Sequence, residues 1–327
     1  MKDFCIVGSG IAGSTIANLL AKKFSVEIFD KARGPGGRSS NRRYSDNLSF
    51  DHGLQYISPK TSEFKKFILN LKKKKVLKEW SGNHLDFNFE KKKNSIKYIG
   101  LKGNNDICKY LIKNIKSNYL TSITNIKFNF NYWTITLNNK DKVYFKNLIL
   151  TCPFPQLKKL TSKYLNKKIL KINPQMLPNI TILAAYKNCP QLPISTIRFN
   201  DPIISWAGQE NTKNRFKSNQ VLWTIQCTEK FSKKIIHLFK KNKKKYEKLI
   251  LKKFEDLTGY QAKSALFQNI HGWKFAYKKN VTSSLESLWL NKYQLGVCGD
   301  WFSGTKAEHA WLSAGSLFIK IKKNPSR

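Results

Sequence analysis

Two clusters of small and charged residues, one near each end of the chain, could do chemistry. In the first, Gly8-Ser9-Gly10-Ile11-Ala12-Gly13 directly follows the apolar run Phe4-Cys5-Ile6-Val7. Gly8 permits a tight turn, Gly10 lets a pyrophosphate approach the backbone, and Gly13 lets a helix pack close to a strand. The N-terminus of a helix that follows offers that anion free N–H groups and a partial positive charge. Asp30 follows Gly8 at roughly 20 residues, where a carboxylate would accept hydrogen bonds from a ribose diol. The chemistry of this cluster is the holding of a dinucleotide. In the second cluster, Leu295-Gly296-Val297-Cys298 runs into Gly299-Asp300.

A further basic stretch lies between them. Lys31 is followed by Arg33, by Gly36-Gly37-Arg38 and by Arg42-Arg43. Of 60 basic residues only seven are arginine (33, 38, 42, 43, 198, 215 and 327), and four of the seven fall within residues 33–43. In a chain that uses lysine nearly everywhere, arginine is expected where its planar fork matters, and a pyrophosphate is such a place.

The elements that must position these groups can be read from the apolar pattern. Phe4–Val7 fits a strand buried on both faces, Ser14–Lys23 a helix, and Ser25–Phe29 a second strand. Residues 105–115 read as a helix, 123–130 and 133–137 as a hairpin turning at Asn131-Tyr132, and 240–257 as a long helix. Leu148–Leu150 is a strand that stops at Pro153. At the C-terminal end, Thr305-x-x-Glu308 reads as a capping box. It opens a helix whose apolar face is Ala307, Ala310, Trp311, Ala314, Leu317 and Phe318.

These motifs, in this order and together with Phe50-Asp51-His52-Gly53-Leu54-Gln55-Tyr56, resemble the FAD-binding start of the flavin amine oxidase superfamily. They are more closely similar to its renalase-like branch. Three further segments resemble that branch: 204–208 and 221–224 as strands of a substrate-domain sheet, and His271-Gly272-Trp273-Lys274-Phe275 for its His-x-Trp-Arg-Tyr segment. The last departs from the family at Lys274 and Phe275. The resemblance implies an α/β fold with a Rossmann-type FAD-binding domain of the glutathione reductase/amine oxidase kind and a second, mixed β-sheet substrate domain. It divides the chain into 1–62, 99–170 and 281–327 for the FAD domain, and 63–98 and 171–280 for the substrate domain.

The resemblance also implies non-covalent FAD held by Gly8, Gly10, Ile11, Ala12, Gly13, Asp30, Lys31, Gly36, Gly37, Arg38, Gly53, Gln55, Gly299, Asp300 and Ala310. The start of the last helix would face the flavin pyrimidine ring. The implied reaction is oxidation of dihydro-NAD(P) isomers by hydride transfer, with O2 as acceptor and H2O2 as product. An amine oxidase or a desaturase-like enzyme on another small substrate is the alternative within the fold. The catalytic candidates are His271, Trp273 and Tyr56. His52, His309 and Trp301 are further groups expected near the flavin.

Composition bounds the remaining classes. With 41% hydrophobic and 13% aromatic residues, 327 residues can bury a sizeable core, which excludes global disorder. The net charge of +40 raises a different class, a non-catalytic protein that binds polyanions. The scattered lysines fit a solvated shell as well, so no specific nucleic acid is expected, while peripheral contact with an anionic membrane stays open. The runs Lys72–Lys75, Lys91–Lys93 and Lys243–Lys245 read as solvated faces. The six cysteines have no metal or C-x-x-C spacing and read as reduced thiols, so a cytoplasmic location is expected. Cys298 is expected to be buried in its strand. No apolar run is long enough to span a membrane. The sequons Asn179-Ile-Thr181 and Asn280-Val-Thr282 are expected by chance in an Asn-rich chain.

Overall fold

The computed structural model describes residues 1–88, 90, 96–166, 169, 173–279 and 285–323. The chain begins with β1 (Lys2–Val7), α1 (Ile11–Leu20) and β2 (Val26–Phe29), followed by a hairpin of β3 (Asn41–Arg43) and β4 (Ser49–Asp51). Next come α2 (Ser62–Lys73), β5 (Leu77–Glu79), β6 (Tyr98–Gly100), α3 (Asp106–Leu111) and β7 (Lys116–Asn118). A meander of β8 (Ile123–Asn129), β9 (Tyr132–Leu137) and β10 (Lys142–Leu150) leads to α4 (Phe154–Thr161). A second group follows: β11 (Met176–Lys187), β12 (Thr196–Arg198), β13 (Ile204–Gln209), β14 (Gln220–Cys227), α5 (Glu229–Ile235), α6 (Lys243–Thr258) and β15 (Ala265–Lys278). The chain ends with β16 (Ser287–Leu290), β17 (Leu295–Cys298) and α7 (Ala307–Lys323).

The larger sheet runs β16-β17-β10-β1-β2-β7, and β9 joins it through β10. Strands β17, β10, β1, β2 and β7 run parallel to one another, while β16 and β9 join them antiparallel. Such strands are covered on both faces, which is why β1, β10 and β17 are apolar without alternation. One face packs on α1, α2, α3 and α7. The other packs on the β8–β10 meander, α4, Trp301 and Phe302. The first and last helices share one core: Ile16, Ala17 and Leu20 sit in the same cluster as Ala310, Ala314 and Leu317. The apolar face expected for α7 is thus the face it buries.

The smaller sheet runs β12-β13-β14-β11-β15. It was expected to be mixed, but each of its described pairings is antiparallel. Its outer face is covered by α5 and α6. Its inner face carries Leu183, Ala185 and Leu222, which meet Leu48 and Phe50 of the β3–β4 hairpin.

Several expectations are corrected. Residues 63–98 do not act as one piece of the smaller unit. Phe64, Ile68 and Leu71 form one stripe of α2 and, with Leu77, enter the core of the larger unit. Trp311 of α7 stacks on Phe67 there, 5.2 Å between ring centroids. The capping box does not form. Glu308 instead accepts from the backbone N–H groups of Lys60 and Thr61 and from the Thr61 hydroxyl. Both partners lie at the start of α2, so tertiary contact outcompetes the local cap. The helix expected over 105–115 is confined to Asp106–Leu111. The hairpin turns at Phe130-Asn131, with Phe130 at φ 49°. Lys72–Lys75 and Lys243–Lys245 are exposed. Phe89, Lys91–Lys93, the second sequon and Arg327 lie outside the described residues. Among those described, no helix is long and apolar enough to cross a membrane.

Candidate active site

The first glycine turn is built as its spacing requires. Gly8 adopts φ +100°, a region in which side chains are strained, and a Cβ on Gly13 would stand 1.9 Å from the Gly8 carbonyl oxygen. The turn therefore brings α1 against β1 as closely as backbone allows. Gly10 is less crowded: a Cβ there would only touch the Gly36 carbonyl oxygen and Gly37 Cα, at 3.8 and 3.9 Å. Gly36 is held there by its N–H donating to the Ser9 carbonyl at 3.0 Å. Gly10 precedes α1 without a side-chain cap, and no acidic residue lies in the first turn of Ile11, Ala12 and Gly13. The helix end keeps its positive potential for an outside anion.

Asp30 ends β2 beside this turn. One of its carboxylate oxygens accepts from the Ser9 N–H and hydroxyl at 2.7 and 2.6 Å, and the other from the Ala32 N–H at 2.9 Å. A carboxylate has about four acceptor positions, so roughly one is left for a ribose hydroxyl. Lys31, the next residue, is exposed. The Asp30 carboxylate, the side-chain-free Gly10 and Gly36-Gly37 backbone and the uncapped helix end fit the pyrophosphate and ribose of a dinucleotide.

Arg38 joins the two ends of the chain. Its Nη2 lies 2.5 Å from Asp300 Oδ1, and its Nη1 donates to the Ala276 carbonyl at 2.9 Å. A guanidinium has about five donors, so this one retains N–H groups for a further acceptor. Asp300 is positioned by Gly299, whose N–H donates to the Ser313 hydroxyl of α7 at 2.9 Å. Ala310, in the first turn of α7, turns its side chain into the core. Trp301, expected near a ligand, is buried against Phe154 and Phe302 and donates to the Cys152 carbonyl. Cys298 is buried in β17. His309 is half-buried beside Gly304 and accepts from the Lys306 N–H.

The segment from Asp51 to Tyr56 runs from this crevice to the smaller sheet. The Leu54 N–H donates to the Arg38 carbonyl at 2.8 Å, and the Gly53 carbonyl accepts from Gln226 Nε2 at 3.0 Å. Beyond it opens a cavity of about 450 Å³, lined by Gly53, Gln55 and Tyr56 on one side and by Asn179, Arg198, Trp206, Glu229 and Tyr277 on the other. Of the three catalytic candidates only Tyr56 lines it. Trp273 and His271 instead pack with His52. The His52 and Trp273 rings stack at 5.1 Å, and the two imidazoles meet edge-on at 4.9 Å. Burial, followed by the neighbouring His271, lowers His52 to about 3. Burial, followed by Arg42, lowers His271 to about 4. Both are neutral at physiological pH, so neither is a proton donor there.

One group of residues escaped the sequence reading. Asp51, Glu210, Lys213 and Arg215 form a buried ion network where the hairpin meets the smaller sheet. Lys213 Nζ lies 2.8 Å from Asp51 and 2.9 Å from Glu210, and Arg215 Nη1 lies 2.5 Å from Asp51. Burial by itself would raise Asp51, but the charges of Arg215 and Lys213 outweigh it and hold the carboxyl well below the usual range. Glu210 is raised, because its burial exceeds the help from Lys213 and Asp51 adds to it. Lys213 also donates to Gln55 Oε1 at 3.3 Å, while Gln55 Nε2 donates to the Asp51 carbonyl. The network thus orients a side chain of the cavity wall. The one signal in the sequence is Arg215 itself, one of the seven places where lysine is not used.

Comparison with known proteins agrees with this geometry. A family model described as an NAD(P)-binding Rossmann-like domain matches residues 6–69. Over 179 residues the chain is 27% identical to renalase of Mus musculus, covering 51% of this chain and 51% of that protein. The match thus spans about half the length of this curated relative. A protein described as a protoporphyrinogen oxidase, from an Exiguobacterium species, has the same fold with a TM-score of 0.77 at 11% identity, covering 98% of this chain and 99% of that one. A putrescine oxidase variant, made in a redesign of its cofactor binding, gives 0.73 at 10% identity with the same coverage. In sequence the likeness is to renalase, whose branch the motifs resemble; in fold it is to oxidases.

Proposed function

We propose that this chain is an FAD-dependent oxidoreductase of the flavin amine oxidase superfamily, of renalase type, that oxidises dihydro-NAD(P) isomers. The observation that carries this reading is the Arg38–Asp300 contact, which sets the two ends of the chain together beside the Gly8–Gly13 turn, one segment away from a cavity of about 450 Å³. Gly10, Gly36, Gly37 and the start of α1 would take the pyrophosphate, Asp30 the ribose, and Arg38 and Asp300 the chain between. Gly53 and Gln55 would lie along the ring system, with Tyr56 at the substrate's side. FAD, when bound, supplies a two-electron acceptor that O2 regenerates, so that dihydro-NAD(P), O2 and one proton yield NAD(P)+ and H2O2.

The residues at the cavity suit a donor that needs no base. A dihydropyridine becomes aromatic when hydride leaves, and no proton need be withdrawn from it. Burial raises Tyr277, and Glu229 is bonded by Lys233 at 2.6 Å. His52 and His271 are neutral but occupy each other's and Trp273's faces rather than the cavity.

The test is direct. The purified protein should be yellow, and an aged NADH preparation containing the isomers should bleach it rapidly under argon. Equal bleaching by fresh 1,4-NADH would remove the isomer assignment, and faster bleaching by a simple amine would favour the amine oxidase alternative. A colourless preparation that binds nucleic acid in a steeply salt-dependent way would replace the enzyme by the polyanion-binding class.

A further inference from the structure

We propose that Arg198 is the specificity determinant of the cavity: a clamp for a substrate phosphate, which makes the site prefer a dihydropyridine nucleotide to the same ring without its phosphates. This rests on the reading above for the ring but not for the anion. Arg198 closes the edge strand β12 and lines the cavity. Its cross-strand partner is Trp206, so the two side chains share one face, and Trp206 also lines the cavity.

The neighbouring polar groups are engaged with the protein itself. Gln226 donates to Gly53, Asn179 donates to the Cys227 carbonyl at 3.1 Å, and Ser205 donates to the Gln226 carbonyl at 3.1 Å. The cavity's carboxylate, Glu229, is matched by Lys233. Among the described residues, no hydrogen bond or ion pair engages the Arg198 guanidinium, and its side chain is exposed at the rim. Among the described residues that line the cavity, Arg198 is thus left with its positive charge unmatched. The ligand chemistry that fits is an anion that presents two oxygens side by side to the planar fork. A phosphate or pyrophosphate is such a group, and a fork binds it with two donors where a lysine offers one point charge.

The experiment uses the flavin-loaded enzyme and one dihydropyridine isomer in two forms, as the dinucleotide and as the bare riboside. Titration calorimetry with NAD+ provides a second measurement that needs no turnover. The wild type should have the lower KM for the dinucleotide. Arg198→Gln should raise that KM by roughly tenfold or more, leave the riboside KM in place and weaken NAD+ binding by a similar factor; tenfold corresponds to about 1.4 kcal/mol. Arg198→Lys should fall between the two. No preference in the wild type, or a preference retained in Arg198→Gln, would overturn the clamp while the oxidase reading stands. Oxidation of neither form would overturn the oxidase reading, and the calorimetry would then decide the clamp alone: NAD+ binding that depends on Arg198 supports it, and binding that is absent or unaffected refutes it.

Discussion

Two charged centres hold this molecule together, and they are built in opposite ways. At Asp51–Glu210–Lys213–Arg215 the carboxylate and ammonium side chains are fully buried and the guanidinium is 3% exposed. At Arg38–Asp300 the carboxylate is 6% exposed but the guanidinium is 33% exposed. A sealed network spends its hydrogen-bonding capacity on itself, so it can fix one sheet against another but cannot receive a ligand. A half-open pair keeps donors free, so it can join two ends of a chain and still meet an anion. The site lies between them, with Gln55 oriented by the sealed centre and Gly53 held through the Arg38 carbonyl by Leu54.

The largest effect is expected from breaking the sealed centre. Lys213→Met leaves two buried carboxylates against one guanidinium and should cost about 3–5 kcal/mol in urea denaturation. Adding Glu210→Gln should recover part of the loss, because the surplus negative charge goes with it. A cost below about 1 kcal/mol would show that the two centres do not differ in kind.

Acid should act on the same region. His52 adjoins Asp51, and His52 and His271 are held neutral with values of about 3 and about 4 against an ordinary 6.5. The unfolded chain binds more protons between those limits, so stability is complete above pH 6.5 and falls as pH drops towards 4. Each histidine should contribute about 1–2 kcal/mol to the loss between pH 7 and pH 5. Asp51 adds to the loss only below its ordinary value near 3.8, since its carboxyl is lowered in the fold. The double variant His52→Phe/His271→Phe should flatten the pH 5–7 part of the stability curve. An unchanged slope would mean that other groups carry the proton uptake.

The smallest effect on stability, and the clearest on cofactor, is expected at the half-open centre. Arg38→Lys keeps a charge opposite Asp300 but loses the second donor to the Ala276 carbonyl. Stability should fall by about 0.5–1.5 kcal/mol, while the flavin should wash out on gel filtration where the wild type retains it. Retained flavin at full stoichiometry would remove Arg38 from the cofactor site.

The chain itself determined its local parts. The glycine spacing after β1 dictates a turn that brings helix against strand, because a side chain at Gly13 would strike the Gly8 carbonyl. The apolar face of α7 was legible for the same kind of reason, since helical periodicity is local. The scarcity of arginine pointed to positions 33–43, and Arg38 does bridge the two ends.

Tertiary structure decided what depends on residues far apart in sequence. Glu308 has a local partner at Thr305, yet the start of α2 offers it three donors in a fixed array, and those prevail. Trp301 lies one residue from Asp300 but turns into the core with Phe302, because the tight turn after β17 sends its ring against Phe154 while the Asp300 carboxylate meets Arg38. Asp51 and Lys213 are separated by 162 positions. No periodicity or spacing marks them as a pair; burial does so, by making each charge too costly to leave without the other.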